Sequence, residues 1–236
     1  MFFFIFQIMN HKFFVNIQKS EVQAELWMIL VHRVAISDNP KEARQLRKAL
    51  RKINLEASLI VSQIEKLDLI PKSSSLKQAR AKKKVKLNDD NGADMDIVWR
   101  KLGLILELVT VMNGLGKAWL LIHPLCQCLK TSFSYETATI ELVQQQILTA
   151  LHHLIELSFS ELSKDSWNEI KLNIECIVQC IRSTVNPDTQ RRALLVLSYG
   201  AKLDPQIVLH NIMTIFTFMG TSLLRRDDAY SFQAST

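Results

Sequence analysis

Glycine and proline are scarce in this chain, with 6 and 5 residues respectively among 236. A β-sandwich or β-barrel needs many turns, which these two residues commonly supply, so their scarcity argues against both folds. The long stretches between them are rich in Leu, Ile, Ala, Gln, Glu and Lys, most of which are good helix formers. Almost half of the residues are hydrophobic, which excludes a chain that is disordered throughout. The composition therefore predicts an all-α protein.

Sequence signatures of catalysis are also missing. The chain has no phosphate-binding P-loop, no Gly-rich dinucleotide fingerprint and no Gly-x-Ser-x-Gly elbow. Two pairs of adjacent acids occur, Asp89-Asp90 and Asp227-Asp228. The second pair follows Arg225-Arg226, and mutual pairing or helix capping explains it better than acid–base catalysis. We therefore expect a protein that is not an enzyme and that needs no cofactor.

The cysteines are few, and all lie within apolar helical patterns: Cys126, Cys128, Cys176 and Cys180. No secretory disulfide framework surrounds them, so we expect reduced core thiols in an intracellular protein. Cys176 and Cys180 are four residues apart, on one helix face, as a metal site would require. However, their surroundings, "IECIVQCI", are apolar throughout, which favours core packing.

Histidines offer two further metal candidates, and neither is convincing. His152 and His153 are adjacent in a helical pattern. His123 lies near Cys126 and Cys128, but no second ligand pair follows at a known spacing, and Cys-x-Cys on a helix points its thiols apart. We expect no metal at either place.

The first segment, residues 1–19, begins "MFFFIFQIMN". Its apolar run of about nine residues is too short to span a bilayer. It has neither the basic start nor the small-residue cleavage site of a signal peptide. We interpret it as a ragged start outside the native fold and expect no membrane partner.

Residues 20–71 read as a helical segment. Ser20 is a plausible cap for a helix over residues 21–36, and "SDNP" ends that helix. Pro40 suits the first turn of a second helix, whose apolar stripe predicts that it continues to about Leu69. Pro71 ends the segment.

Residues 72–93 have a different character, because they combine serines, a lysine run and Asn-Gly with few large apolar side chains. They predict a flexible basic linker. Seven cations and no acid lie in residues 72–86, and removing them from the net charge of +6 leaves 6 − 7 = −1 for everything else. We therefore assigned the basic character to this segment. Its candidate residues are Lys77, Arg80, Lys82, Lys83, Lys84 and Lys86.

The basic run has three interpretations. "KKKVK" matches a nuclear-localisation pattern, and the same cations could contact RNA phosphates. A solvated loop with no partner is the third. No aromatic residues alternate with the lysines, as base stacking would require.

Residues 94–233 predict a series of helices, and residues 234–236 a short tail. We expect Pro124 to kink or divide one helix, and residues 163–183 to form another. Two Asx-Pro pairs, Asn186-Pro187 and Asp204-Pro205, predict capped helix starts eighteen residues apart. Closely spaced starts produce helical hairpins, which favour an α-solenoid over a globular bundle.

The carboxy-terminal third resembles a known family. The resemblance covers roughly residues 20–233 and is strong only from about residue 176, and its most specific part is "HNIMTIFTFMG…LLRRDDAYSFQ". "IVWRKLGLILELV", after the basic linker, fits as well. This sequence is similar to the HEAT repeat-containing protein 1 family, the large HEAT-repeat subunit of the small-subunit processome. The motif residues are Arg225, Arg226, Asp227, Asp228, Tyr230 and Phe232.

The resemblance implies a HEAT-like α-solenoid and an internal piece of a much longer chain. It also implies a non-catalytic scaffold in the nucleus and nucleolus that supports transcription and maturation of ribosomal RNA. Implied partners are other processome proteins, small nucleolar RNA or precursor ribosomal RNA, and an import receptor. The alternative is a nuclear transport or adaptor solenoid that binds peptides. Such a protein would show acidic, Trp and Asn positions along one inner face, which the sequence does not show.

Overall fold

The computed structural model describes residues 20–53, 55–69, 90–112, 115–135 and 137–224. Within these ranges the chain is all-α, with no strand. The α-helices are α1 Ser20–Ala35, α2 Pro40–Leu50, α3 Ala57–Lys66, α4 Asp90–Val109, α5 Ile122–Ser132, α6 Ala138–Glu161, α7 Ile174–Ser183, α8 Pro187–Leu203 and α9 Pro205–Leu224. Two 3-10 helices, Ala118–Leu121 and Lys164–Glu169, precede α5 and α7.

The helices stack in two layers. In the first layer α1 packs on α4, α4 on α6, and α6 on α8. In the second layer α3 packs on α5, α5 on α7, and α7 on α9. Consecutive helices pair across the layers, as α5 with α6, α7 with α8, and α8 with α9. This repeated arrangement of antiparallel pairs confirms the predicted HEAT-like α-solenoid.

Asx-Pro pairs begin three of the helices. The Oδ1 atom of Asn39 accepts hydrogen bonds from the backbone N–H groups two and three residues later, at 3.1 and 3.4 Å. Asn186 makes the same two bonds at 2.9 and 3.4 Å, and Asp204 accepts one at 2.9 Å. The caps predicted at Asn186 and Asp204 are confirmed, and proline in the first turn needs no intrahelical N–H bond.

The core lies between the two layers and contains side chains from α1 to α8. Two tryptophans, Trp27 of α1 and Trp99 of α4, are fully buried in it. One buried cluster joins these helices, so the described repeats share one hydrophobic interior. Apolar side chains buried between adjacent helix pairs therefore hold the stack together.

One predicted helix is two helices in the structure. The chain from Pro40 to Leu69 turns at Arg51, and α3 begins only at Ala57. Leu50, Leu55 and Ala57 are all buried. On a continuous helix, with about 100° per residue, Leu55 would lie about 140° from Leu50 and away from the face that Leu50 and Ala57 share. The break allows Leu55 to be buried with them, and the prediction of a single helix was wrong.

A second predicted helix, over residues 163–183, is α-helical only in its last half. Residues 164–169 form a 3-10 helix, and residues 170–173 are irregular. Asn173 then caps α7 by accepting a hydrogen bond from the N–H of Cys176 at 3.1 Å. Trp167 packs on Phe159 with ring centroids 4.6 Å apart. The packing of this tryptophan accompanies the 3-10 and irregular conformation of residues 164–173, which the helical spacing of the apolar residues did not predict.

The division expected near Pro124 is present, and one helix boundary differs from the expectation. The segment forms the 3-10 helix Ala118–Leu121 and then α5, and Pro124 lies in the first turn of α5, where an N–H has no intrahelical acceptor. Helix α4 begins at Asp90, before the predicted start at Asp94. No helix in the described ranges is long and apolar enough to span a membrane.

Candidate functional site

Both sets of candidate residues from the sequence lie outside the described residues. The basic run falls in residues 70–89 and the family-like motif in residues 225–236. The segment 1–19, interpreted as a ragged start, lies outside them as well. Candidate sites in the structure must therefore come from the two-layer stack.

The cysteines belong to the core, as predicted. All four are free and buried, between α5 and α7. The Sγ atom of Cys176 donates a hydrogen bond to the backbone oxygen of Cys126 at 3.3 Å. Burial raises the pKa of Cys126 to about 11 and the pKa values of Cys128 and Cys180 to about 12. These thiols are therefore protonated and unreactive at neutral pH.

The histidines do not form a metal site with them. His152 packs edge-on against Tyr199, with ring centroids 4.6 Å apart. Burial lowers the pKa of His152, which keeps the ring neutral at physiological pH. Among the described residues no three His, Cys, Asp or Glu side chains are grouped to hold a metal ion.

Helix α2 carries a surface that the sequence analysis missed. Residues 40–52 contain six cations and one acid, a net charge of +5. We define the α2 basic surface as Lys41, Arg44, Arg47, Lys48, Arg51 and Lys52. All six are exposed, whereas Leu46 and Leu50 on the opposite side are buried. Because α2 packs mainly on α1 and belongs to neither layer, it lies at the side of the stack, with Arg47 and Arg51 next to Glu107 of α4.

The charge is segregated by segment. Without the linker cations and the α2 segment, the rest of the chain carries 6 − 7 − 5 = −6. Without the linker alone, the net charge of the chain is close to zero, because the acids elsewhere in the chain offset the cations of α2. A count over each predicted helix, rather than over the whole remainder, would have found the second basic segment.

Ion pairs divide the α2 basic surface into two parts. Arg51 pairs with Glu107 of α4 at 2.7 Å, and Arg47 lies 3.6 Å from the same carboxylate. The acid of α2, Glu42, faces α1 and pairs with Arg33 at 3.1 Å. No carboxylate of the described chain pairs with the remaining cations, which are Lys41, Arg44, Lys48 and Lys52.

A groove of about 300 Å³ lies beside this helix, between α1, α2, α4 and α6. Its walls combine apolar side chains, including Val34 and Leu142, with Arg47 and Arg100. Gly103 forms part of the wall, since a Cβ atom there would lie 2.5 Å from the Oε1 of Gln146. Arg100 is paired with Asp96 at 2.7 Å, and the carboxylate of Glu107 is held by the two arginines of α2. The charged side chains Arg47, Arg100 and Glu107 of the groove are therefore all in ion pairs.

Comparison with known proteins finds relatives along most of this chain. HEAT repeat-containing protein 1 of Danio rerio is 33% identical to this chain over 231 residues, which is 94% of the chain. The Homo sapiens protein of the same name is 32% identical over 235 residues, again 94% of the chain. This chain is homologous to HEAT repeat-containing protein 1. U3 small nucleolar RNA-associated protein 10 of Aspergillus clavatus is 28% identical over 201 residues, or 78% of the chain.

The homology, over 94% of the chain, confirms the resemblance found in the sequence. The chain spans 11% of the length of these curated relatives. No family model and no solved structure matches it. The HEAT repeat-containing protein 1 homology and the two-layer stack agree on the fold.

Proposed function

We propose that this chain acts as a non-catalytic scaffold segment of the nucleolar small-subunit processome, supporting transcription and maturation of ribosomal RNA. The observation that carries the proposal is the homology to HEAT repeat-containing protein 1 over 94% of the chain. A further relative is named for its association with U3 small nucleolar RNA. Ribosome biogenesis is the role that both relatives support.

The architecture is suited to this role. Stacked helix pairs expose long helix faces, which can contact several partners at once. The thiols that could act as nucleophiles are buried and protonated, and the carboxylate beside the groove is held by arginines. Other processome proteins are the primary partners in this proposal, and RNA is a direct or indirect one.

The basic linker has a separate role in the proposal. Lys82, Lys83, Lys84 and Lys86 would bind an import receptor, which places the chain in the nucleus before assembly. The resemblance to a nucleolar family supports this import role.

The test is localisation of the natural full-length product carrying a fluorescent tag, with co-sedimentation of precursor ribosomal RNA. We expect nucleolar signal, and loss of it when the four linker lysines are changed to alanine. A charge-matched control changes four exposed cations of the stack to alanine, namely Lys130, Lys164, Lys171 and Arg182. A cytoplasmic wild type would reject the processome proposal and favour an adaptor solenoid. If the linker variant kept its nucleolar signal, only the import role would be rejected.

A further inference from the structure

We propose that the α2 basic surface binds the phosphate backbone of single-stranded RNA. This inference rests on the proposed function and adds to it a specific site in the folded stack. The surface is distinct from the linker, and α2 presents it in a fixed arrangement. Four cations, Lys41, Arg44, Lys48 and Lys52, have no carboxylate partner in the described ranges and would make the phosphate contacts.

Their spacing suits a strand of nucleic acid. Lys41, Arg44 and Lys48 recur at steps of three and four residues, so they form one row along the helix, and Lys52 lies in the turn that follows α2. From Lys41 to Lys48 the row is roughly 10 Å long at the helical rise per residue, and Lys52 extends it beyond the helix end. That length covers several phosphates of a nucleic-acid strand.

The row is held in place by the packing around it. Asn39 caps the start of α2, and Leu46 and Leu50 anchor its inner side in the core. The bond between Arg51 and Glu107 ties its end to α4. A helix fixed at three points presents its cations without an additional ordering cost for the backbone.

Two neighbouring charges bear on this row. Glu42, the acid of α2, is already engaged by Arg33, which reduces its opposition to a bound polyanion. Lys101 of α4 lies close enough to His32 of α1 to contribute, after burial, to lowering the pKa of the histidine. Lys101 therefore adds one positive charge near the helix on which α2 packs.

The composition of the row favours RNA over an acidic protein. The other exposed residues of α2 are Pro40 and Gln45, so the row contains no aromatic or large aliphatic anchor. Protein interfaces depend on such anchors at their centres, whereas phosphate contacts require only cations and other hydrogen-bond donors. Binding through this row should consequently be insensitive to base sequence and sensitive to salt.

The test measures the affinity of the full chain for a fluorescein-labelled uridine oligonucleotide by anisotropy over a range of KCl concentrations. The test variant changes Lys41→Gln, Arg44→Gln, Lys48→Gln and Lys52→Gln, and it leaves Arg47 and Arg51 on Glu107. The control variant removes the same charge elsewhere, by Lys130→Gln, Lys164→Gln, Lys171→Gln and Arg182→Gln. The test and control substitutions are also made in a second background, in which the linker lysines Lys82, Lys83, Lys84 and Lys86 are changed to glutamine. In this background, RNA binding by the linker cannot hide a loss of affinity at α2.

We expect the α2 variant to lose about tenfold in affinity or more, and its slope of log K against log[KCl] to fall by about 3, as the loss of four phosphate contacts requires. The control variant should stay within about twofold of the parent chain. Circular dichroism melting would show that each variant is folded.

Two results would overturn the inference. One is an α2 variant that behaves like its charge-matched control in both backgrounds. The other is polyglutamate that competes as well as the oligonucleotide at equal charge concentration, which would assign the row to an acidic protein. Because the purified chain is used, failure here leaves the localisation result intact. Conversely, a chain that binds RNA at α2 but stays in the cytoplasm would reject the processome proposal alone.

Discussion

At the scale of single residues, burial decides the chemistry of the four thiols. Cys128 and Cys180 are fully buried, and desolvation disfavours their charged form. The thiol of Cys176 is further disfavoured as a thiolate by neighbouring Cys126 and Cys180. Their apolar sequence neighbours already indicated a core position, so this property followed from the sequence. The contact between Cys176 and the backbone of Cys126 did not, because the two residues are 50 positions apart.

We expect the four thiols to react with a disulfide reagent at least about a hundredfold more slowly in the folded chain than in denaturant, because the thiolate is the reactive form and is suppressed by burial. Ellman's reagent at pH 8 would measure this. One rapidly reacting equivalent in the native chain would contradict the core assignment.

The same pKa shifts have a consequence for stability. The ordinary pKa of the thiol is 9.0, and burial raises that of Cys128 to about 12. Above pH 9 the unfolded chain loses this proton and the folded chain keeps it, so the free energy of unfolding falls between about pH 9 and pH 12. Cys128→Ala should lessen this slope by up to about 1.4 kcal/mol per pH unit. Urea melts of both chains at several pH values would test it, and equal slopes would contradict it.

At the scale of helices, capping side chains define several starts. Asn186 is not helical itself, with φ −77° and ψ 120°, and its side chain accepts two of the N–H groups that begin α8. Such starts were readable from sequence, because Asx before proline has few other uses. The break after Leu50 and the irregular residues 170–173 were not readable, because their signal is the burial of Leu55 and the packing of Trp167.

Asn186→Ala should lower the free energy of unfolding by about 1 kcal/mol, since two N–H groups lose their acceptor. Asn186→Asp is the matched control, because its carboxylate can accept the same bonds and should retain nearly full stability. Chemical denaturation followed by circular dichroism would compare them. If both variants lost equal stability, the side-chain cap would not be the cause.

At the scale of the whole molecule, the two layers leave an apolar face on α9. Leu209, Met213 and Phe216 recur at helical spacing and are 51%, 74% and 61% exposed. Contiguous apolar surface of this kind promotes association. It results from the stacking of helix pairs, in which each pair covers a face of its neighbour.

We expect the isolated chain to self-associate through this face, and Met213→Glu with Phe216→Glu to reduce the association. The control places the same two charges at exposed apolar positions elsewhere, by Leu142→Glu with Val185→Glu. Sedimentation velocity over a range of concentrations would compare the self-association of the parent chain and the two variants. A monomeric parent chain would reject the prediction, and so would equal improvement by both variants.

Local chemistry explains what the sequence determined by itself. Scarce turn residues, apolar stripes and capped Asx-Pro starts are properties of neighbouring residues, and they identified the all-α class, several helix starts and the buried thiols. The tertiary structure decided which helices share a layer, where two predicted helices break, and which cations of α2 pair with a carboxylate among the described residues. Those outcomes depend on partners far apart in the chain, such as Glu107 of α4 beside Arg51 of α2. Only folding brings such side chains within reach of one another, and ion pairing and burial act over a few ångströms.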